Sequence, residues 1–216
     1  MKQALNICLI LSLCAFTTET HAQSIFGVKA GVQLDKVTGF ETNPDHFLAS
    51  FQLKGVAICP LGDQIFLVPS LGYSGKGYSF SNVEFTDPSG NYVGNGTANG
   101  IFHYVQLSLP FSYKFTLDPK KDLYFGLGPY FSYAVAGTGK IKNVAVPASD
   151  KTWNLFKDDV YKKPDAGVVV EFNSSINKKF LVAVNVDVGL ANISNDGGNR
   201  LKQLAAGLSL GYLFAK

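Results

Sequence analysis

The sequence of 216 residues is poor in charged residues and in cysteine, and each shortage excludes a class of protein. Charged residues make up 16% of the chain, against about 25% in an average soluble domain. The formal net charge is only +3, and no basic patch is interleaved with aromatic residues, so nucleic-acid binding is not supported. Cys8 and Cys14 lie near the N-terminus, and Cys59 alone follows them. An internal disulfide in the main part of the chain is therefore excluded.

Long apolar runs are also missing, apart from one near the N-terminus. The segment Ile7–Phe16 (ICLILSLCAF) follows a short positively charged start and is too short to span a membrane. Thr20 and Ala22 are small residues at the two positions that a signal peptidase reads. We therefore expect residues 1–22 to be a cleaved signal peptide and residues 23–216 to form the mature domain.

The rest of the sequence contains segments in which apolar and small or polar residues alternate with a period of two. In Leu204–Phe214 (LAAGLSLGYLF), most residues at even positions are large and apolar, and most of those between them are small. Such alternation over about ten residues is typical of a tilted membrane strand. The eight predicted strands are Phe26–Val37, Phe47–Cys59, Gln64–Tyr78, Ile101–Phe115, Leu123–Gly137, Asp165–Asn173, Phe180–Leu190 and Leu204–Phe214.

The connections between these strands are alternately short and long. The short, polar ones are Pro60–Asp63, Thr116–Asp122 and Ser174–Lys179, and the longer ones are about Thr38–His46, Ser79–Gly100, Thr138–Pro164 and Ala191–Arg200. Short periplasmic turns and long extracellular loops are typical of bacterial outer-membrane barrels. We predict an all-β, eight-stranded antiparallel up-and-down transmembrane β-barrel with apolar residues towards lipid and a lumen filled by side chains.

Three prolines conflict with a regular ladder of hydrogen bonds. Pro69, Pro110 and Pro129 lie inside predicted strands, and proline has no N–H to donate. Because every strand of a closed barrel is central, β-bulges at these positions would reconcile the prolines with the barrel.

Charged residues at inward-facing positions predict a network inside the barrel. A buried charge without a partner is costly, so we expect these residues to form ion pairs. The pairs serve either as a structural plug or as a gate or proton path. The predicted lumen charge network is Lys29, Lys54, Glu171 and Asp187. Counted from the strand ends, Lys29, Lys54 and Glu171 lie in the periplasmic half, and Asp187 lies nearer the outer mouth with Asp35, Lys76 and Gln203.

Aromatic residues mark both ends of the predicted barrel. The loop Thr138–Pro164 contains the only tryptophan, and Trp153, Phe156 and Tyr161 are a candidate outer-loop contact surface. They could equally fold onto the barrel mouth or touch lipopolysaccharide. At the other end, Tyr212 and Phe214 are predicted membrane-interface anchors.

Patterns for catalysis and for metal binding are not found. A lipid hydrolase needs a serine and a histidine held together, and only His46 and Ser50 share a strand face, inward in the predicted register. The turn sequences Asp87–Asn91 and Asn195–Asn199 lack the ligand series of a calcium loop. We therefore expect no catalytic residue, no metal and no cofactor.

The order of several segments resembles that of a known family. These segments are FGVKAGVQL from Phe26, the strand–turn–strand Val56–Gly77, the proline-bearing Leu107–Phe115, Val188–Ile193 and Leu208–Phe214. Together they resemble the PorT-like, OmpA-type outer-membrane β-barrel family of Gram-negative bacteria. Ser70 and Ser108 depart from that family, which often has carboxylates at these positions.

The resemblance implies an integral outer-membrane protein with a structural or interaction role at the cell envelope. Its implied partners are outer-membrane lipid and lipopolysaccharide, the outer-membrane assembly machinery, and an envelope protein partner. The family's namesake is tied to protein secretion. The alternative is a soluble lipocalin-like β-barrel that binds a small apolar ligand, which requires the apolar face to line the interior.

Overall fold

The computed structural model describes residues 24–39, 46–86, 89, 91–143, 151–157, 160–195 and 200–214. The expected signal peptide lies outside these residues. No helix among the described residues is long and apolar enough to cross a membrane. The strands are β1 Ile25–Thr38, β2 Leu48–Pro60, β3 Ile65–Leu67, β4 Ser70–Thr86, β5 Tyr92–Ser108, β6 Phe111–Asp118, β7 Lys121–Asn143, β8 Lys151–Asn154, β9 Pro164–Ile176, β10 Phe180–Gly189 and β11 Lys202–Leu213.

The strands close into a ring in which every pairing is antiparallel. β1 pairs with β2 on one side and with β11 on the other. β3 and β4 together make the third barrel strand, and β5 and β6 make the fourth. β3 and β4 both pair with β2, and on their other side β3 pairs with β6 and β4 pairs with β5. With β7, β9, β10 and β11 the ring has eight barrel strands, and β8 pairs with β7 outside it. The predicted eight-stranded up-and-down barrel is confirmed.

The register of the pairings fixes how steeply the strands tilt. A line of paired residues that leaves β7 at Tyr124 passes once around the barrel and returns to β7 at Ala134, ten residues further along. An offset of ten residues over eight strands corresponds to a tilt of about 40°, from a rise of ~3.3 Å per residue and a strand spacing of ~4.8 Å. A barrel of this size has an interior that side chains can fill.

The two faces of the sheet have opposite character. Large apolar residues point outward, as Val32, Leu208 and Leu210 show with 65%, 51% and 67% exposure. The inward face of the same strands carries glycine and buried polar or charged residues, such as Gln33 and Ser209. An apolar outer belt suits hydrocarbon. It is the reverse of the arrangement that the lipocalin-like alternative needs.

The barrel accommodates the three prolines without β-bulges. The strands are interrupted at Pro69 and Pro110, and β7 continues through Pro129. The pairings on both sides of each proline keep the same register. Each proline carbonyl still accepts a hydrogen bond from the neighbouring strand, so only the donor is lost. The donors are Ala57 N to Pro69 O at 3.0 Å, Val68 N to Pro110 O at 3.0 Å and Leu109 N to Pro129 O at 2.9 Å.

The long connections all lie at one end of the barrel, as predicted, but two of them contain more strand than the sequence indicated. The predicted loop Ser79–Gly100 is largely a hairpin, because β4 and β5 stay paired as far as Thr86 and Tyr92. β7 likewise continues to Asn143 and carries β8 at its edge. This part of the sheet is predicted to stand in water, where strands need no apolar belt, so the alternation used to find membrane strands disappears.

Removing the top of the β4–β5 hairpin should leave the barrel folded. Replacing residues 81–97 by an Asn-Gly turn joins Phe80 to its paired residue Ala98 and keeps all the lower pairings. The expected result is a band that still shifts on boiling in SDS gels of the outer-membrane fraction. Loss of the heat-modifiable band would show that the raised hairpin is required for barrel assembly.

Candidate functional site

The lumen is divided into three levels by the character of its side chains. One apolar cluster lies at the end with the short turns, and a larger one lies at the end with the long loops. Most of the buried polar and charged side chains lie between them. The lower plug is Val56, Ile58, Val68, Tyr124, Leu181 and Leu213. The upper cap is Val37, Tyr78, Phe102, Tyr104, Ala134, Leu155, Ile193 and Leu201, with Phe80, Phe156 and Tyr161 packed against it.

An ion pair crosses the lumen just above the lower plug. Lys29 of β1 and Glu171 of β9 both point inward and are almost completely buried, and the ammonium group contacts a carboxylate oxygen. Lys54 lies opposite Lys29 on β2 and is 3% exposed. Within the described part of the chain Lys54 has no ion pair within 4 Å. The structure therefore brings two of the four predicted network residues together at this level.

A second charged cluster surrounds Lys76 nearer the upper cap. The Lys76 ammonium nitrogen lies 3.5 Å from one oxygen of Asp165 and 3.5 Å from one oxygen of Asp187. It also lies 4.0 Å from the centre of the Tyr130 ring, and the Tyr130 hydroxyl donates to Asp165 at 2.9 Å. The ionic partner of Asp187 is thus Lys76. Asp165 was not predicted to belong to the network, although its inward-facing position on β9 indicates that it points into the lumen.

Neutral amides connect the charged groups, and sequence analysis missed them because it searched for charges. Gln106 and Asn185 donate to the two oxygens of Asp187 at 2.8 Å and 3.0 Å. Gln52 donates to Asn185 at 2.8 Å. Asp35 accepts from Gln33 at 2.9 Å and from the Ser50 hydroxyl. In the sequence, the inward-facing positions of these amide residues in the period-two alternation were the only indication that they lie in the lumen.

The middle of the lumen is predicted to be hydrated. Among the described residues, several buried polar atoms have no protein hydrogen-bond partner, and buried polar groups are usually satisfied by ordered water. The atoms are Gln52 Oε1, Ser70 Oγ, Ser112 Oγ, Asp165 Oδ1, both side-chain heteroatoms of Asn173, Gln203 Oε1 and Ser209 Oγ.

Two of the three predicted outer-loop contact residues pack onto the barrel mouth. Tyr161 lies edge-on to Phe102 with ring centres 5.1 Å apart, and its hydroxyl lies 3.2 Å from that of Tyr78. Burial raises the pKa of Tyr161 above its ordinary value, so the phenol stays neutral. Phe156 also packs against Phe102, at 5.9 Å. Trp153 differs, because 37% of its surface is exposed.

The predicted interface anchors lie on the outer surface at the end with the short turns. Tyr212 and Phe214 are both exposed, and their ring centres are 5.9 Å apart. Phe180 on the neighbouring strand contacts Tyr212 edge-on at 5.9 Å. The three rings form an aromatic patch at the edge of the apolar belt.

Within the described residues, neither His46 nor His103 has a side-chain hydrogen bond to a serine. His46 was expected to face inward beside Ser50, but His46 is exposed and pairs through its main chain with Ser79. Ser50 donates to Asp35 and to the Gly75 carbonyl. His103 bonds through Nδ1 to the Tyr73 hydroxyl at 2.7 Å.

Solved structures similar to this chain include several outer-membrane proteins. Ail of Yersinia pestis has 12% identity and a TM-score of 0.45, with 89% of this chain and 100% of Ail covered. Neisserial surface protein A has 11% identity and a TM-score of 0.48, with 88% and 99% covered. OprG of Pseudomonas aeruginosa has 12% identity and a TM-score of 0.42, with 91% and 98% covered. Comparison with curated proteins finds no match.

A match to a family model assigns the chain to a family, which the solved structures at this low identity do not. The model described as an outer membrane protein beta-barrel domain matches residues 21–195, most of the chain. The match includes seven of the eight barrel strands, and β11, which follows it, completes the ring. The chain belongs to the family of outer-membrane proteins built on this β-barrel domain.

Proposed function

We propose that this protein is a non-enzymatic outer-membrane barrel with a closed lumen that acts at the cell envelope through its outer end. The observation that carries the proposal is a buried apolar cluster at each end of the lumen, together with a raised wall of sheet at the outer end. β4, β5, β7 and β8 form that wall, which stands at the end with the long loops. A barrel without a path through it has its outer surface and loops available for function.

The arrangement of the charged groups favours a structural plug over a gate or proton path. The two ion-paired clusters lie at different levels, and Gln106 and Asn185 hold the two oxygens of Asp187 in the upper cluster. The upper cap lies between the Lys76 cluster and the outside. Catalysis is disfavoured by the positions of His46 and His103, because neither contacts a serine hydroxyl within the described residues.

We expect the purified protein to give no ion conductance in planar lipid bilayers. Ions would have to pass the buried side chains of both the lower plug and the upper cap. The measurement compares equal amounts of this protein and an open porin in the same bilayer. Stable, reproducible single-channel steps from this protein would overturn the closed-lumen proposal.

The interaction role can be tested by photo-crosslinking in cells. A photoreactive residue at Glu84, on the exposed upper hairpin, should capture an envelope protein partner, whereas one at Leu210, on the lipid face, should not.

A link to protein secretion rests on the PorT resemblance, and unchanged secretion in a deletion strain would count against it. Export through a signal peptide predicts a mature N-terminus at Gln23, which mass spectrometry of the purified protein can check.

A further inference from the structure

We propose that the outer end of the barrel carries a saccharide-binding cleft centred on Trp153. This inference rests on the proposed interaction role and names the class of ligand that the outer end recognises. Tyr78, Trp153, Asn154, Leu155, Lys157, Val160 and Tyr161 line the cleft. Its volume of about 450 Å³ is within the range of small-molecule sites, which runs from roughly 300 to 1,000 Å³.

The Trp153 ring is held in a fixed position by the sheet beneath it. β8 pairs with β7, which places Trp153 directly opposite Gly139. The indole lies on the glycine backbone, in space that any side chain at position 139 would occupy. Because the indole is already held in place, it can stack on the C–H face of a pyranose ring without the entropy cost of immobilising a mobile side chain.

Polar groups around the indole can receive the hydroxyls at the rim of a sugar. The Asn154 side-chain oxygen accepts a hydrogen bond from the Phe156 backbone N–H at 2.9 Å, which orients the amide and leaves its NH₂ group to donate. Lys157 is exposed at the cleft. The hydroxyls of Tyr78 and Tyr161 form a pair on the opposite wall.

This combination favours a saccharide over the other ligands available at this end. A lipid tail would need a mainly apolar groove, whereas this cleft mixes aromatic, amide, ammonium and phenol groups. A protein partner would need a larger and flatter surface than a concave site of this size. One aromatic plane with several hydrogen-bonding groups at its rim matches a single sugar ring, either in a free glycan or in the sugars of lipopolysaccharide.

Because Trp153 is the only tryptophan in the chain, its fluorescence reports on the cleft directly. Purified protein in detergent is titrated with a panel of neutral, N-acetylated and acidic oligosaccharides and with lipopolysaccharide core oligosaccharide. We expect a saturable change in emission with at least one class. The identity of that class distinguishes a free glycan from lipopolysaccharide sugar. A panel that leaves the emission unchanged overturns the inference.

Matched variants test whether the response comes from the proposed site. In Gly139→Ala the new methyl group must displace the indole, so binding should weaken by roughly tenfold or more while Trp153 remains as the reporter. Tyr92→Ala removes another exposed aromatic, outside the cleft lining, and should bind like the wild type. If Gly139→Ala does not fold, Asn154→Ala should weaken binding instead. Equal binding by the cleft variant that folds and the wild type contradicts the proposal.

Failure of this inference can be told apart from failure of the proposed function. If no saccharide binds but Glu84 still captures an envelope partner, the interaction role stands and only the ligand class is wrong. If neither is observed, the interaction role fails as well.

Discussion

Replacing Leu208 with arginine should destabilise the barrel by roughly 2–4 kcal/mol and impair its assembly in the membrane. Leu208 lies in the middle of β11, with Val32 and Val184 paired on either side, and its side chain is 51% exposed on the outer face. A guanidinium group at this height would lie in hydrocarbon, where it has neither water nor a charged partner. The free energy of unfolding is measured by urea titration in lipid vesicles.

Lys202→Arg on the same strand is the matched control. Lys202 is exposed at the end with the long loops, so arginine there should change the free energy of unfolding by less than about 0.5 kcal/mol. If Leu208→Arg unfolds at the same urea concentration as the wild type and reaches the membrane in normal amounts, the outer face of β11 does not contact lipid.

Glu171→Gln should cost about 3–5 kcal/mol, because it leaves Lys29 buried without its negative partner. The Lys29 and Glu171 side chains are 4% and 1% exposed. Lys54, directly opposite Lys29 on the next strand, adds a second positive charge nearby. The free energy of unfolding is again measured by urea titration in vesicles.

A double-mutant cycle separates the loss of the pair from the loss of a carboxylate. Lys29→Met combined with Glu171→Gln removes both charges, so it should recover a large part of the stability lost in Glu171→Gln. The exposed pair Lys121–Asp118 at 3.8 Å gives the control, since Lys121→Met should cost less than about 1 kcal/mol. Additive effects at Lys29 and Glu171 would mean that these two groups do not interact in the folded barrel.

The membrane strands could be predicted from the sequence because lipid imposes a simple pattern on one face. Leu204 to Phe214 and the seven other segments alternate because one side of each strand meets hydrocarbon. The upper parts of β4 and β5 carry no such pattern. Their hydrogen bonds are satisfied by each other and by β7, and nothing in the surrounding water selects large apolar residues.

The pairs inside the lumen could be predicted only in part. Period two and the distance from the strand ends group Lys29 with Glu171 and Lys76 with Asp187, but they do not say which charges form ion pairs. That depends on the relative heights of strands on opposite sides of the barrel, which follow from the offset of ten residues around the ring. The sequence shows no sign of this offset until the pairings are known.

The upper cap was harder still to predict, because several of its residues come from loops. Leu155, Tyr161 and Ile193 meet Phe102 only after the loops have folded over the mouth. Exposed aromatics on a loop and aromatics that cover a barrel look alike in sequence. The sequence alone therefore does not distinguish an outer contact surface from packing onto the barrel mouth for Phe156 and Tyr161.

The seam between β1 and β11 has a kinetic consequence. Its partners, such as Gly27 and Leu213, come from opposite ends of the described chain, so the ring cannot close until β11 has been delivered. Until then β1 keeps an unpaired edge that other chains could join. Contacts so distant in sequence form slowly. We therefore expect the pairing of β11 with β1 to be a slow step of folding, and a factor that shields the β1 edge until then would limit aggregation.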